Sequence, residues 1–327
     1  MTHIAFINTQ AFGDSVLGIN AARRLKENNP DFLISYSYLN RFNLTTNDGA
    51  NGLFEALEVL EHQPWIDAVG VAQTDNTGRI TGLNLNDQSE NFKKVDDVIF
   101  HDRWFSDLGI SRSQNVPIKK YLTKEQFLDG NLELFVESEK IKDDTLRIAT
   151  HGPLDWNRKL MNESLRLDVM FGLKEICDNR NITYEIDMFG VDIGNYSLYT
   201  ALNILNRNDI FIGPAGSLTH SATALGLDTI TIPSVFPVEY DLPEFYSTNK
   251  GTHISVRHRA ENHCGDFKCV SKKEHDGEDK RPNNPPTEWG FWLKACPHTD
   301  SKLACTKMVQ SKDILDSFER LLDVRSK

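Results

Sequence analysis

The stretch that decides the fold is Ile4-Ala-Phe-Ile-Asn8, a short apolar run near the start of the chain. Runs of this length are typical of parallel strands that are buried on both faces. A glycine-bearing turn follows at 9–13, and apolar residues at helical spacing continue from Val16 to Leu25. The next apolar run, Phe32–Tyr36, indicates a second strand. An order of strand, helix and strand predicts an α/β fold.

The same alternation continues through most of the chain. It indicates further helices at 53–60, 125–134, 164–176, 197–205 and 313–322, a turn followed by a helix within 214–225, and further strands at 68–71, 95–100, 146–150, 182–190, 210–213 and 229–232. A polar, irregular stretch at 102–143 separates two halves, so we predict an N-terminal domain at 1–143 and a C-terminal domain at 144–327. Ligands bind at the carboxyl ends of the strands in open parallel sheets, and we therefore expect the site in a cleft between the halves.

The composition and charge argue against several classes of protein. A length of 327 residues suits two domains of about 150 residues each. A formal net charge of −11 argues against a duplex nucleic-acid binder, which normally has a basic face. No basic segment followed by an apolar stretch opens the chain, and no window approaches about 18 apolar residues, so neither a signal peptide nor a membrane span is predicted. We expect a water-soluble, cytoplasmic protein with reduced cysteines.

The first candidate for chemistry is the turn Gln10-Ala-Phe-Gly-Asp14. It joins the first strand to the first helix, and a carboxylate at such a junction is held on rigid backbone. There Asp14 can take a proton from an acceptor hydroxyl as a general base. Asp and Ser are also frequent helix N-caps, so Asp14 or Ser15 can instead start the helix. Both interpretations of Asp14 stay open at this point.

The second candidate is His151–Lys159, within the loop that we predict at 151–160. Arg158 and Lys159 carry positive charge close to a helix start, and this combination suits a bound diphosphate. A solvated charged loop is an equally good interpretation of the same residues.

The third candidate is Gly213–Gly226, where a strand ends, a turn with Gly and Ser follows, and a helix of small residues begins. Free backbone N–H groups at a helix N-terminus bind phosphate without help from side chains. Ser217, Thr219 and His220 add further donors. The alternative is an ordinary strand–turn–helix unit with a capping serine, but the density of Gly, Ser and Thr favours phosphate.

In this order, the three stretches resemble the heptosyltransferases that use ADP-heptose in lipopolysaccharide core synthesis, glycosyltransferase family nine. That family's Leu-Gly-Asp turn resembles Phe12-Gly-Asp14, and its His- or Pro-Gly turn followed by a Lys resembles His151-Gly152 and Lys159. Its best-marked motif is Gly-x-Asp-Ser/Thr-Gly-x-x-His before a helix ending Ala-Leu-Gly, which resembles Gly213–His220 and Ala224-Leu-Gly226. The resemblance spans nearly the whole chain.

The resemblance implies a GT-B fold, in which two Rossmann-like domains with parallel sheets face a central cleft. It implies an inverting transfer without a catalytic metal, in which Asp14 deprotonates the acceptor while Lys159 and the amides of Gly216–His220 stabilise the leaving diphosphate. The N-terminal domain would bind the acceptor, a glycan or a protein, and the last helix, 313–322, would cross back onto this domain. The residues implied for donor binding are Gly13, His151, Gly152, Arg158, Lys159, Gly213, Gly216, Ser217, Leu218, Thr219 and His220.

One position departs from the family pattern. Ala215 stands where the family's motif has an aspartate that helps to hold the donor sugar. The resemblance therefore implies a nucleotide diphosphate sugar as the donor, with ADP-heptose as the family's own, and leaves the sugar itself open.

Most of the cysteines are concentrated in the polar segment 261–306, at Cys264, Cys269, Cys296 and Cys305. Four thiolates in a reduced compartment suit a structural Zn or Fe site, which would order a segment that apolar burial cannot. Free thiols or one disulfide are the alternatives. The resemblance adds that protein O-heptosyltransferases carry C-terminal cysteine quartets with iron. The remaining cysteine, Cys177, lies on a predicted helix and is interpreted as a small buried apolar residue.

Two other functions stay open from the sequence. A nucleotide-sugar epimerase also uses two Rossmann-like halves, and a non-catalytic nucleotide-sugar-binding protein would keep the fold without turnover. A dinucleotide oxidoreductase is not predicted, because the first turn lacks the Gly-x-Gly-x-x-Gly spacing. The oligomeric state is also open, and a homo-oligomer is compatible with the sequence.

Overall fold

The computed structural model describes residues 1–8, 12–39, 55–74, 80–101, 121, 132–151, 154–156, 159–161, 163–189, 196–232, 251–256 and 309–326. The chain divides into two compact units. Unit 1 consists of Met1–Glu139, Tyr196–Asn206 and Ala224–Gly226, and unit 2 consists of Lys140–Asn195, Arg207–Thr223 and Leu227–Lys327. The first break follows Glu139, and the sequence-based boundary stands at 143. The sequence does not predict that two later segments return to unit 1.

The helices and strands alternate along the chain. The helices are α1 (Phe12–Asn28), α2 (Glu163–Asn179), α3 (Leu198–Asn206), α4 (Ser217–Ala224) and α5 (Ser311–Arg325), with a 3-10 turn at Glu90–Phe92 and further helical residues at 55–61. The strands are β1 (His3–Asn8), β2 (Leu33–Leu39), β3 (Ala68–Thr74), β4 (Ile80–Leu85), β5 (Asp97–His101), β6 (Leu146–His151), β7 (Leu154–Trp156), β8 (Lys159–Met161), β9 (Tyr184–Phe189), β10 (Ile210–Pro214), β11 (Asp228–Ile232) and β12 (His253–Ser255). None of the helices in the described ranges is both long enough and apolar enough to span a membrane.

Unit 1 is built on a five-stranded sheet with the order β4-β3-β2-β1-β5. Its strands run parallel except β4, which is antiparallel to β3. All six residues of β1 are buried, as expected of a central strand in a parallel sheet. Because β1 and β2 are parallel and in register, Asn8 and Tyr38 lie opposite each other at the carboxyl ends of their strands. The first helix of the unit begins shortly after this edge, at Phe12.

Unit 2 is built on a second five-stranded sheet with the order β12-β11-β10-β6-β9, in which every pairing is parallel. Its core combines apolar residues of the strands with residues of α2 and α5. The core includes Ile148, Val169, Leu173, Ile212, Ile230, Ile314 and Phe318. The carboxyl ends of β6, β10 and β11 therefore meet at one edge of this sheet.

Helix α5 packs closely against α2 within unit 2. A Cβ atom at Gly172 of α2 would lie 2.2 Å from Cδ1 of Leu315 of α5. The side chain of Leu315 therefore packs against the backbone of α2 at the position where Gly172 has no side chain. At the end of α5, Arg325 donates a hydrogen bond to Asp228 of β11. The apolar face of α5, which includes Phe318, is buried in the core of unit 2. The implication of the resemblance, that this helix crosses back onto the first domain, stays a prediction.

Helix α3 belongs to unit 1, although it follows β9 of unit 2 in the chain. Its residues Leu202 and Leu205 are fully buried. The ring of Tyr199 stacks on the ring of His62, with 3.8 Å between the centroids and 19° between the planes. Unit 1 therefore includes a helix from the second half of the sequence.

Hydrogen bonds to Ser138 hold α3 in place. The N–H of Ser138 donates to Oδ1 of Asn203 at 2.8 Å, and its hydroxyl donates to the carbonyl oxygen of Asn203 at 2.8 Å. Nδ2 of Asn206 donates to the carbonyl oxygen of Ser138 at 2.6 Å and to its hydroxyl oxygen at 3.3 Å. These bonds pair the polar groups of an otherwise irregular segment with one face of the helix.

The sequence predicted most of these elements, with a few differences. The segment predicted as a loop at 151–160 contains the antiparallel hairpin of β7 and β8. The strands β4 and β12 were not predicted. The three-residue strands β7, β8 and β12 carry too few residues to show a periodic pattern, and β4 is as long as β1 but its apolar residues are interrupted by Thr81, Gly82 and Asn84. Of the helix predicted at 125–134, residues 132–134 have no regular structure, and the remainder lies outside the described residues.

Candidate functional site

Asp14 lies in the first turn of α1. The helix begins at Phe12, so Gly13 and Asp14 are its second and third residues. The interpretation of Asp14 or Ser15 as the helix N-cap is therefore wrong, because the cap position precedes Phe12. The side chain of Asp14 lies outside the described part of the structure, whereas its backbone is described. A carboxylate in a first turn is stabilised by the positive end of the helix dipole, so the position suits an ionised group.

A buried polar cluster lies next to Asp14. Nδ2 of Asn8 donates a hydrogen bond to Oγ of Ser15, and the hydroxyls of Ser15 and Tyr38 share another. Asn8 and Ser15 are 0% exposed and Tyr38 is 2% exposed. We call these three residues the edge cluster, since they join the ends of β1 and β2 to the start of α1. The sequence analysis missed this cluster, although a polar residue at the end of an apolar strand was a visible signal.

The turn between β10 and α4 is closed by hydrogen bonds of its own residues. The N–H of Ala215 donates to the carbonyl oxygen of Ile232 at 2.9 Å, and the hydroxyl of Thr219 donates to the carbonyl oxygen of Pro214 at 2.9 Å. Helix α4 then begins at Ser217, within the stretch 214–225 for which a turn and a helix are predicted. The side chain of Thr219 is fully buried and its one hydroxyl proton is already donated, so this hydroxyl is not a donor for a ligand.

The N-terminal end of α4 is accessible. N–H groups in the first turn of a helix have no acceptor within the helix. Gly216 and Leu218 are half-buried, and Ser217 is exposed. His220, in contrast, is buried, and its N–H donates to the carbonyl oxygen of Gly216 at 2.9 Å. This end of the helix can hold an anion through backbone amides and the positive end of the helix dipole.

Gly213 allows two strands to end side by side. A Cβ atom at this position would lie 2.9 Å from Cβ of His151 and 2.8 Å from Cζ of Phe211, distances that real Cβ atoms essentially never show. The missing side chain therefore places His151, the last residue of β6, beside the turn that leads into α4. His151 is half-buried there. The structure thus brings the second and third candidate stretches together at one edge of unit 2.

Other predicted residues fall partly or wholly outside the described structure. Lys159 opens β8 and pairs in register with Trp156, but its side chain is not among the described ones. Gly152 and Arg158 lie outside the described residues. The predicted metal ligands also lie outside them, at Cys264, Cys269, Cys296 and Cys305. Within the ranges that are described, no three His, Cys, Asp or Glu residues form a group that could hold a metal ion.

Cys177 is buried in α2, as predicted from the sequence. Burial raises the pKa of its thiol to about 11, and the nearby charge of Asp178 acts in the same direction. The thiol therefore stays protonated at neutral pH and is a poor nucleophile.

Comparison with known proteins agrees with the fold. No family model matches the sequence, and no curated protein matches it. Among solved structures, the bacterial iron-containing dodecameric glycosyltransferase TibC from enterotoxigenic E. coli H10407 is similar with a TM-score of 0.54 at 12% identity, covering 100% of this chain and 80% of that chain. TibC in complex with ADP-D-β-D-heptose gives a TM-score of 0.53 at 11% identity, covering 98% and 76%.

E. coli ADP-heptose lps heptosyltransferase II is similar over the full length of both chains. The TM-score is 0.51 at 12% identity, and the alignment covers 100% of each chain. At identities this low, the structural similarity shows a shared fold and nothing more specific. The chain therefore has the two-sheet α/β architecture of GT-B glycosyltransferases, which confirms the predicted fold class.

Proposed function

We propose that this protein is an inverting glycosyltransferase that moves a sugar from a nucleotide diphosphate donor to a hydroxyl group of a glycan or a protein. The observation that carries the proposal is the similarity in fold to E. coli ADP-heptose lps heptosyltransferase II. The alignment with that structure covers the whole length of both chains. The edges of the two sheets support it, since each presents a candidate stretch at the carboxyl ends of parallel strands.

In the proposed reaction, Asp14 takes the proton of the acceptor hydroxyl. The oxygen attacks the anomeric carbon, the bond from that carbon to the diphosphate breaks, and the nucleoside diphosphate leaves with the bonding electrons. A single displacement of this kind inverts the anomeric centre. The first-turn position of Asp14 supports the role, because the helix dipole favours the ionised carboxylate that a base requires.

The leaving diphosphate gains negative charge in the transition state. Backbone N–H groups around Gly216–Leu218 can stabilise that charge without side-chain movement, and Lys159 would add a positive charge. Ala215 is fully buried and carries no carboxylate, so a contact from this position to the donor sugar is not expected. We propose ADP-heptose as the first donor to test, since one similar structure contains ADP-D-β-D-heptose.

We also propose a structural Zn or Fe site at Cys264, Cys269, Cys296 and Cys305. The chemistry of four thiolates supports it, and TibC, which is similar in fold, is described as iron-containing and dodecameric. Elemental analysis of the purified protein should find about one metal equivalent per chain, lost in Cys264→Ser. Light scattering on the same sample tests for a homo-oligomer.

Thermal stabilisation by nucleotides tests the proposed donor class. The panel is ADP, GDP, UDP, CMP, dTDP and NAD. A ligand at 100 times its Kd stabilises the native state by about 2.7 kcal/mol, which raises the Tm by a few degrees. We expect one nucleoside diphosphate to stand out, and the shift to fall in Lys159→Ala. The control is Lys312→Ala, which removes an exposed lysine paired with Asp316 and should leave the shift unchanged. A response to NAD alone, or to nothing, would contradict the proposal.

Asp14→Asn separates an enzyme from a binder. A transferase should lose turnover in this variant and keep the thermal shift with its nucleotide. If Asp14→Asn keeps the same biological activity as the unaltered protein, this would favour a non-catalytic nucleotide-sugar-binding protein. Conversion of the donor sugar without release of nucleoside diphosphate would favour an epimerase.

A further inference from the structure

The edge cluster consists of polar side chains in a place where apolar ones would be expected. Asn8, Ser15 and Tyr38 are all buried, and Asn8 directly follows the apolar, fully buried residues Ile4–Ile7 of β1. Burying amide and hydroxyl groups costs free energy unless each is hydrogen-bonded. Here they are paired with each other, from Asn8 to Ser15 and from Ser15 to Tyr38.

The cluster links parts of the chain that are distant in sequence. Asn8 ends β1, Tyr38 lies opposite it near the end of β2, and Ser15 is the fourth residue of α1. Hydrogen bonds have narrow limits of distance and angle, whereas apolar contacts tolerate sliding. The cluster therefore fixes the first turn of α1, both along its axis and about it, relative to the carboxyl edge of the sheet.

Asp14 immediately precedes Ser15 in that turn. Successive residues of an α-helix are separated by a fixed rotation and a rise of about 1.5 Å, so a fixed Ser15 determines where the backbone of Asp14 lies. We propose that Asn8, Ser15 and Tyr38 are positioning residues for Asp14. The proposal rests on the proposed function, because it concerns the same base. A catalytic base must stay within hydrogen-bond reach of the proton it removes, and small displacements cost rate.

The variants follow from the geometry of the cluster. Tyr38→Phe removes one hydroxyl, Ser15→Ala removes the shared one, and Ser15→Thr restores a hydroxyl at that place. The matched control is Tyr36→Phe, which removes a buried hydroxyl from the same strand and leaves the bonds of the edge cluster intact. Each variant is made in the full chain, with Asp14 and with Asp14→Asn.

The first measurement is the release of ADP from ADP-D-β-D-heptose with water as the acceptor. Water then donates the proton to Asp14, and its oxygen replaces the diphosphate at the anomeric carbon. Tyr38→Phe and Ser15→Ala should lower kcat roughly 10- to 100-fold with little change in KM, and Ser15→Thr should recover part of the loss. With Asp14→Asn, the same changes should have no further effect, because they act through Asp14.

An equal loss with and without Asp14, or a loss no larger than that of Tyr36→Phe, would overturn the proposal. The second measurement is amide hydrogen exchange of residues 13–18, which requires no activity. Exchange should be faster there in Tyr38→Phe and Ser15→Ala, with the rest of β1 and β2 unchanged. If the unaltered protein releases no ADP, the proposed function fails with this donor. Unchanged exchange in the first turn would count against positioning itself.

Discussion

Gly213 shows how much one missing side chain determines at the edge of unit 2. A Cβ atom there would meet the Cβ of His151, at the end of the adjacent strand β6, and the ring of Phe211, two residues earlier in the same strand. Gly213 is therefore both part of the motif at 213–220 and required by the packing around it.

We expect Gly213→Ala to destabilise the protein by about 1–3 kcal/mol, because the added methyl overpacks the strand ends. Urea unfolding measures this loss, and the nucleotide-induced thermal shift should shrink with it. The control is Gly82→Ala on β4, whose added Cβ would meet only Oε1 of Gln73 at 3.8 Å. Equal stability of the two variants would show that the edge of unit 2 yields easily.

His3 is expected to make the free energy of unfolding depend on pH. Its side chain is buried, with Nε2 2.7 Å from Oγ of Ser35 and Nδ1 3.1 Å from the carbonyl oxygen of Lys94. Burial lowers the pKa of this imidazole below 6.5, partly offset by the carbonyl of Lys94 and the charge of Asp96. The folded state therefore holds a neutral ring, while the unfolded chain takes up a proton below about pH 6.5.

The free energy of unfolding should thus fall as the pH drops from about 7 through the pKa of the unfolded chain to that of the folded one. Urea unfolding at a series of pH values measures the slope. In His3→Gln the share of the slope due to this residue should vanish. If the slope in His3→Gln is not reduced, or is steeper, other titrating groups determine the pH dependence of the unfolding free energy in this range.

Helix α3 shows how an element can be predicted while its partners are not. The helical spacing at 197–205 is local, and the structure has the helix at Leu198–Asn206. Its partners His62 and Ser138 are distant in sequence, and the sequence of the helix does not indicate which residues it contacts. The edge cluster was missed for the same reason, since Ser15 and Tyr38 are 23 residues apart and meet only through strand register.

The turn into α4, in contrast, was predictable, because the strand, the glycines and the small-residue helix are contiguous. The long regular elements followed from their periodicity, while β4 and the hairpin of β7 and β8 were too short or too polar to show one. Local sequence patterns therefore predicted the long helices and strands and the turn before α4, and the contacts between distant segments required the structure.

Ser138→Ala tests the attachment of α3. The change removes the hydroxyl that donates to Asn203 and accepts from Asn206, while the backbone bonds of residue 138 remain. We expect a loss of about 1–3 kcal/mol in the free energy of unfolding, because the carbonyl of Asn203 loses a partner in a half-buried place. Ser89→Ala is the control, since Ser89 is exposed and its side chain makes no capping bond. A loss of equal size in both variants would contradict the assigned role.

The whole molecule carries a formal net charge of −11. Such a charge repels the phosphate backbone of nucleic acids, so any phosphate binding must come from a local arrangement of amides and cations. The protein should therefore leave the fluorescence anisotropy of a labelled DNA duplex unchanged at about 0.15 M salt, while a nucleoside diphosphate still shifts its Tm. Saturable duplex binding that weakens steeply with added salt would reveal a basic surface and contradict this expectation.

The return of α3 to unit 1 also constrains how the chain is made. Residues up to Glu139 leave the ribosome first, and 67 more residues must follow before Asn206 is joined to the chain. At about 5–20 residues per second, this takes roughly 3–13 s. During that time the N-terminal part of unit 1 has no Tyr199 for His62 to stack on and no Asn203 for Ser138 to bond with. Unit 1 can therefore complete its fold only after the residues of α3 have been synthesised, and a chaperone could protect it until then.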